Sequence, residues 1–96
     1  MESSKPIKKG QYEDKSLNYK EVNNDYTLVF NDDVVNFTVG NFTATLPTAV
    51  GIQGKRFTIT NTSNEAITLD SLGFVYPEET IDVVSNNINW IIIWVY

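Results

Sequence analysis

Cysteine and histidine are both missing from this 96-residue sequence. Without cysteine there is no disulfide scaffold, no thiolate zinc site and no cysteine nucleophile. Without histidine the commonest metal ligand and the usual neutral-pH general base are gone as well. Long apolar runs are lacking too: the longest, Trp90 to Tyr96, falls well short of the roughly 20 residues that a membrane-spanning helix needs. The opening Met1-Glu2-Ser3-Ser4-Lys5-Pro6 has no apolar segment of the kind a secretory signal carries, so synthesis in the cytoplasm and no membrane partner are expected.

Positive charge is scarce and uneven. Residues 1–20 hold five lysines against Glu2, Glu13 and Asp14, a net of +2, whereas residues 21–96 hold only Lys55 and Arg56 against nine acids, a net of −7. Binding nucleic acid depends on clustered lysine and arginine to neutralise phosphates, so an acidic body excludes it as a partner.

Catalytic groups are equally sparse. Hydrolysis without histidine or cysteine needs a Ser-Lys pair or paired carboxylates. The six serines lie in the N-terminal stretch or in turns, and none has the context of a nucleophile elbow. Acids sit beside loops at Asp32-Asp33, Asp70, Glu78-Glu79 and Asp82, but their spacing does not place oxygens around one cation. No enzyme activity, metal or cofactor is therefore expected.

What the sequence does contain is strand alternation. Phe57 and Ile59 lie on one face of Gly54 to Thr62, with Arg56, Thr58 and Thr60 on the other, and the segment closes in the polar turn Asn61-Thr62-Ser63-Asn64. Similar runs occur at Tyr26–Phe30, Val35–Val39, Phe42–Leu46, Ala66–Leu69, Ile81–Val83 and Asn89–Tyr96. Gly40-Asn41 reads as a hairpin turn, and residues 70–79 as a long connection. The expected fold is all-β, a small antiparallel β-sandwich or barrel of about seven strands spanning residues 25–96, in one domain with a small core.

Residues 1–24 show neither periodicity for more than a few positions and read as an extended or disordered arm. The arm is either a frayed terminus or an anchor that orders on a partner. As an anchor it would use Ile7, Tyr12, Leu17, Tyr19 and Val22 as apolar contacts and Lys5, Lys8 and Lys9 against an acidic surface. At the other end, Trp90, Ile92, Trp94 and Tyr96 alternate with Ile91, Ile93 and Val95, so both faces of the last strand are apolar. A domain of this size has no third layer to cover both, which predicts an interface between identical subunits at Ile91, Ile93 and Val95. Phe74 and Tyr76 could instead form a shallow glycan-binding patch, or belong to the core.

The segments Tyr26-Thr27-Leu28, Asn41-Phe42-Thr43-Ala44-Thr45-Leu46-Pro47, Gly54-Lys55-Arg56-Phe57-Thr58-Ile59-Thr60-Asn61-Thr62 and Asn89-Trp90-Ile91-Ile92 occur here in that order. Together they resemble a small β-rich module of bacteriophage tail-fibre, baseplate and head-fibre proteins. The resemblance covers about seventy residues and omits the arm. It implies a non-enzymatic virion protein, often trimeric: a head fibre or capsid decoration protein held by its arm to the capsid or another virion protein. Its alternative is a glycan- or receptor-binding module of a tail fibre or baseplate.

Overall fold

The computed structural model describes residues 16–96. Those residues form nine strands and no helix: β1 Tyr19–Val22, β2 Tyr26–Thr27, β3 Val34–Phe37, β4 Thr43–Thr45, β5 Arg56–Asn61, β6 Ile67–Leu69, β7 Gly73–Val75, β8 Thr80–Ser85 and β9 Trp90–Val95. They assemble into a five-stranded sheet, β1-β3-β5-β8-β9, and a four-stranded sheet, β2-β4-β6-β7, neither of which closes into a barrel. Two strands exceed the expectation. β1 falls within the stretch read as an arm, so the chain joins a sheet before residue 25, and β7 falls within the expected long connection.

Both sheets are mixed, not antiparallel. From β1 to β6 the chain alternates between sheets, so each strand pairs in parallel with the strand two places on: β1 with β3, β3 with β5, β2 with β4, and β4 with β6. Direction reverses only in the last part, where β7 turns back on β6, β8 runs antiparallel beside β5, and β9 antiparallel beside β8. The expected hairpin across Gly40-Asn41 is thus a crossover between sheets. A turn does form, with Asn41 in the left-handed region at φ 70°. It sends the chain to the opposite layer because Gly40 is pressed against the β5–β6 corner, where an added Cβ would lie 2.5 Å from both the Cβ and the carbonyl oxygen of Glu65.

That corner is held by Asn61, which is fully buried. Its amide nitrogen donates to the carbonyls of Glu65 and Val75, both at 2.8 Å, and its side-chain oxygen accepts from the backbone N–H and the hydroxyl of Ser63. Every hydrogen-bonding group of the amide is used, and the bond to Val75 ties β5 in one sheet to β7 in the other. The polar turn signal after Ile59 is therefore a corner lock.

Between the sheets, period-two alternation decides what is buried. Val35 and Phe37 of β3, Phe57 and Ile59 of β5, and Ile81 and Val83 of β8 meet Ala44, Ile67, Leu69 and Val75 of the other sheet in one apolar cluster. Two groups of connections gather at opposite ends of the strands. At the entry end, where the chain arrives at β1, lie Leu17-Asn18, residues 29–33, 46–55, 70–72 and 86–89. They are bonded to one another through Asn18 to Asn31, Lys55 to Asp32 and Asp33, Leu46 to Asp70, and Gly51 to Asn87. At the far end lie residues 23–25, 38–42, 62–66 and 76–79, together with Tyr96.

Candidate assembly edge

Each sheet has two edge strands, and an edge offers unpaired backbone donors and acceptors to any other strand unless something blunts it. Three of the four edges are blunted. β2 has two residues, β7 has three and begins at a glycine, and β1 carries Lys20 and Glu21. β9 is six residues long, WIIIWV, with no charge, proline or glycine.

The sheets' unequal strand numbers explain why β9 is uncovered. Its sheet has one strand more than the sheet opposite, and β9 is last in the order. Only Trp90 reaches the core: its ring packs on Phe57 with centroids 5.1 Å apart, and its indole N–H donates to the Pro47 carbonyl at 2.7 Å. Beyond it nothing in β9 is buried, and even Ile92 and Val95, paired with the core-lining strand at Val83 and Ile81, remain 39% and 51% exposed.

The register also corrects the expected face. A β-bulge interrupts the β8–β9 ladder: Asp82 pairs with Trp94 and Val83 with Ile92, which leaves Ile93 without a partner. Paired residues point to the same side of a sheet, so Trp90, Ile92 and Val95 share the inner side, while Ile91 lies with Trp94 on the outer side. Ile91, Ile93 and Val95 do not form one row, because the extra residue flips everything beyond it. The apolar surface is two-sided nonetheless.

On the outer side the strand is fastened by Asp82, whose carboxylate is buried. It accepts from the Thr58 hydroxyl at 2.6 Å, from the Tyr96 hydroxyl at 2.8 Å and from the Arg56 guanidinium at 3.4 Å. The hydrogen bond to Asp82, with help from desolvation and the nearby negative charge, raises the Tyr96 phenol above its ordinary pKa. Trp94 and Tyr96 stand edge to face at 5.9 Å, both exposed. No chain matches this one among protein-family models, curated proteins or solved structures.

Of the other expected sites, Lys5, Ile7, Lys8, Lys9 and Tyr12 lie outside the described residues. Phe74 and Tyr76 are both exposed, with ring centroids 6.0 Å apart, on the edge strand β7 and just beyond it. Among the described residues, no three acidic side chains converge in a way that could hold a metal ion. The signal for Trp94 and Tyr96 as edge residues was present in the sequence as an uncharged run. The bulge that turns them to the side opposite Trp90 and Ile92 leaves no such trace.

Proposed function

We propose that this chain is a non-enzymatic structural subunit of a bacteriophage particle, a head fibre or capsid decoration protein that works as a homotrimer and is held by its N-terminal arm. The observation that carries the self-assembly is β9, a charge-free edge strand exposed on both sides in a protein whose other edges are blunted. The phage setting and the copy number rest on the resemblance of the four ordered segments from Tyr26 to Ile92 to fibre modules. Copies that meet at β9 cover the apolar side chains the opposing sheet cannot reach and satisfy open backbone groups along the strand.

Purified particles should contain the chain in multiples of three, and particles made without the gene should take it back up. A chain absent from particles, or monomeric at high micromolar concentration, overturns this reading. A second reading, glycan binding, is favoured by the exposed Phe74–Tyr76 ring pair, a type of surface that sugars stack on. Saccharide binding that disappears in Tyr76→Ala and leaves assembly intact would support it.

A further inference from the structure

The two ends of the head differ in a way that assembly at β9 does not explain. At the entry end, four separate segments present exposed large apolar side chains: Leu17, Val29 and Phe30, Val50, and Ile88, the last 71% exposed. At the far end, residues 23–25, 38–42, 62–66 and 76–79 carry Asp25, Glu65, Glu78 and Glu79 and no lysine or arginine. The Lys55 ammonium covers the Phe30 ring, but Leu17, Val29, Val50 and Ile88 face solvent on loops hydrogen-bonded to one another. The far end, by contrast, exposes Val39 and the amphipathic Tyr76 and Tyr96. Purely apolar side chains on neighbouring loops mark a candidate interaction surface. Between the loops at that end lies a cleft of about 550 Å³, walled by Leu46, Pro47, Leu72, Ile88 and Trp90 and by the carboxylate-bearing Asp70.

The chain outside the described residues is tied to this same end. The Asn18 backbone N–H donates to the Asp33 carboxylate at 2.8 Å, and the Asn18 side chain donates to the Asn31 carbonyl at 2.7 Å. The described chain therefore begins at the entry end, at Ser16. Ser16 is seven positions after Lys9, a length of chain that can span at most about 25 Å. Residues 5–12 carry Lys5, Lys8 and Lys9 and no acid.

We infer that the entry end is the seat of the head: its apolar loop tips stand on the protein surface that the basic arm grips, an apolar patch with an acidic margin, and the acidic far end points away from it. This rests on the virion reading proposed above. The charges decide between a protein surface and a lipid one. The tips are interspersed with Asp33 and Asp70, and the residues from 16 onward hold three positive charges against nine negative, so an anionic bilayer would repel the body behind the arm. An acidic margin beneath the arm with apolar ground beneath the tips matches both parts.

The test uses particles assembled without the chain and labelled full-length protein. Ile88→Asp and Val50→Asp alter exposed tips at the entry end, and Val39→Asp is the matching change at the far end. Each variant is first checked for wild-type oligomeric state and for the wild-type tryptophan emission of Trp90 and Trp94 together. The two entry-end variants should bind particles about tenfold or more weakly, as the loss of an apolar anchor requires, and Val39→Asp should bind within about twofold of wild type. Equal binding by all three, or a loss confined to Val39→Asp, overturns the seat and leaves the virion reading standing. Wild-type protein that binds no particle overturns both. Wild-type binding to phosphatidylcholine–phosphatidylglycerol vesicles and not to particles assigns the entry end to lipid and overturns the proposal.

Discussion

Replacing Trp94 with lysine tests the proposed assembly at β9 separately from the fold of the single head. Trp94 is 59% exposed, paired with Asp82 on the outer side and in ring contact with Tyr96 alone. About 150 Å² of a side chain able to bury up to about 250 Å² is left for a partner to cover. At about 25 cal/mol per Å², full coverage contributes about 4 kcal/mol per copy, or nearly three orders of magnitude in association. Lysine forfeits that area and places an ammonium where a neighbouring copy would have to desolvate it. The same ammonium lies opposite the Asp82 carboxylate, so the isolated head tolerates the change. Light scattering from low to high micromolar concentration should give about three times the 10.9 kDa chain mass for the wild type and one chain mass for Trp94→Lys, with an unchanged far-ultraviolet dichroism spectrum. A variant that keeps the wild-type mass refutes β9 as the interface. A variant that loses its fold shows that the strand belongs to the core after all.

Phe57→Ala empties a fully buried site between the sheets and removes the surface on which Trp90 rests, so urea unfolding should show a loss of about 3 to 5 kcal/mol. Thr58→Ala, on the opposite face of the same strand, should cost about 1 to 3 kcal/mol because it withdraws a hydroxyl from the buried Asp82 carboxylate; a neutral result would mean that water replaces that bond. Gly40→Ala should be destabilising by about 1 to 3 kcal/mol, since the new methyl meets backbone of the facing corner, and an unchanged urea midpoint would contradict the close approach. For Tyr96 the neutral phenol is the form favoured in the folded chain: its bond to Asp82 stabilises fully below the ordinary tyrosine pKa and is lost as pH rises through the raised one. Burial also raises the Tyr26 phenol, so ultraviolet titration should show two phenols ionising late. Only that of Tyr96 should move back toward the ordinary value in Asp82→Asn; absence of that shift would remove the bond.

The alternation of Phe57 and Ile59 against Thr58 and Thr60 was legible because burial on one face leaves a period of two in the sequence, and the structure has those faces. The direction of pairing was not. Gly40-Asn41 marks a change of direction whether the next strand lies beside the last or across from it, and the choice depends on Glu65 and Ser63, more than twenty residues away. β1 was hidden for a related reason: its residues are exposed or half-buried and alternate weakly, because it is an edge strand held chiefly by its parallel register with β3. The two-sided apolar character of β9 could be read directly. The bulge at Ile93, which arises from the fit of β9 to Asp82 and Val83, could not, and it moved Val95 away from Ile91.

The sheets' unequal strand numbers have a consequence for the order of events as the protein is made. The apolar cluster draws on every strand from β3 to β8 but takes only Trp90 from β9. Of the described strands, the one synthesised last thus gives the core a single side chain, as β1 does with Val22 and β2 with Tyr26. Under the proposed assembly, copies would meet as folded bodies with no need to fold around one another, and changes in β9 beyond Trp90 should act on association with little effect on the fold behind it.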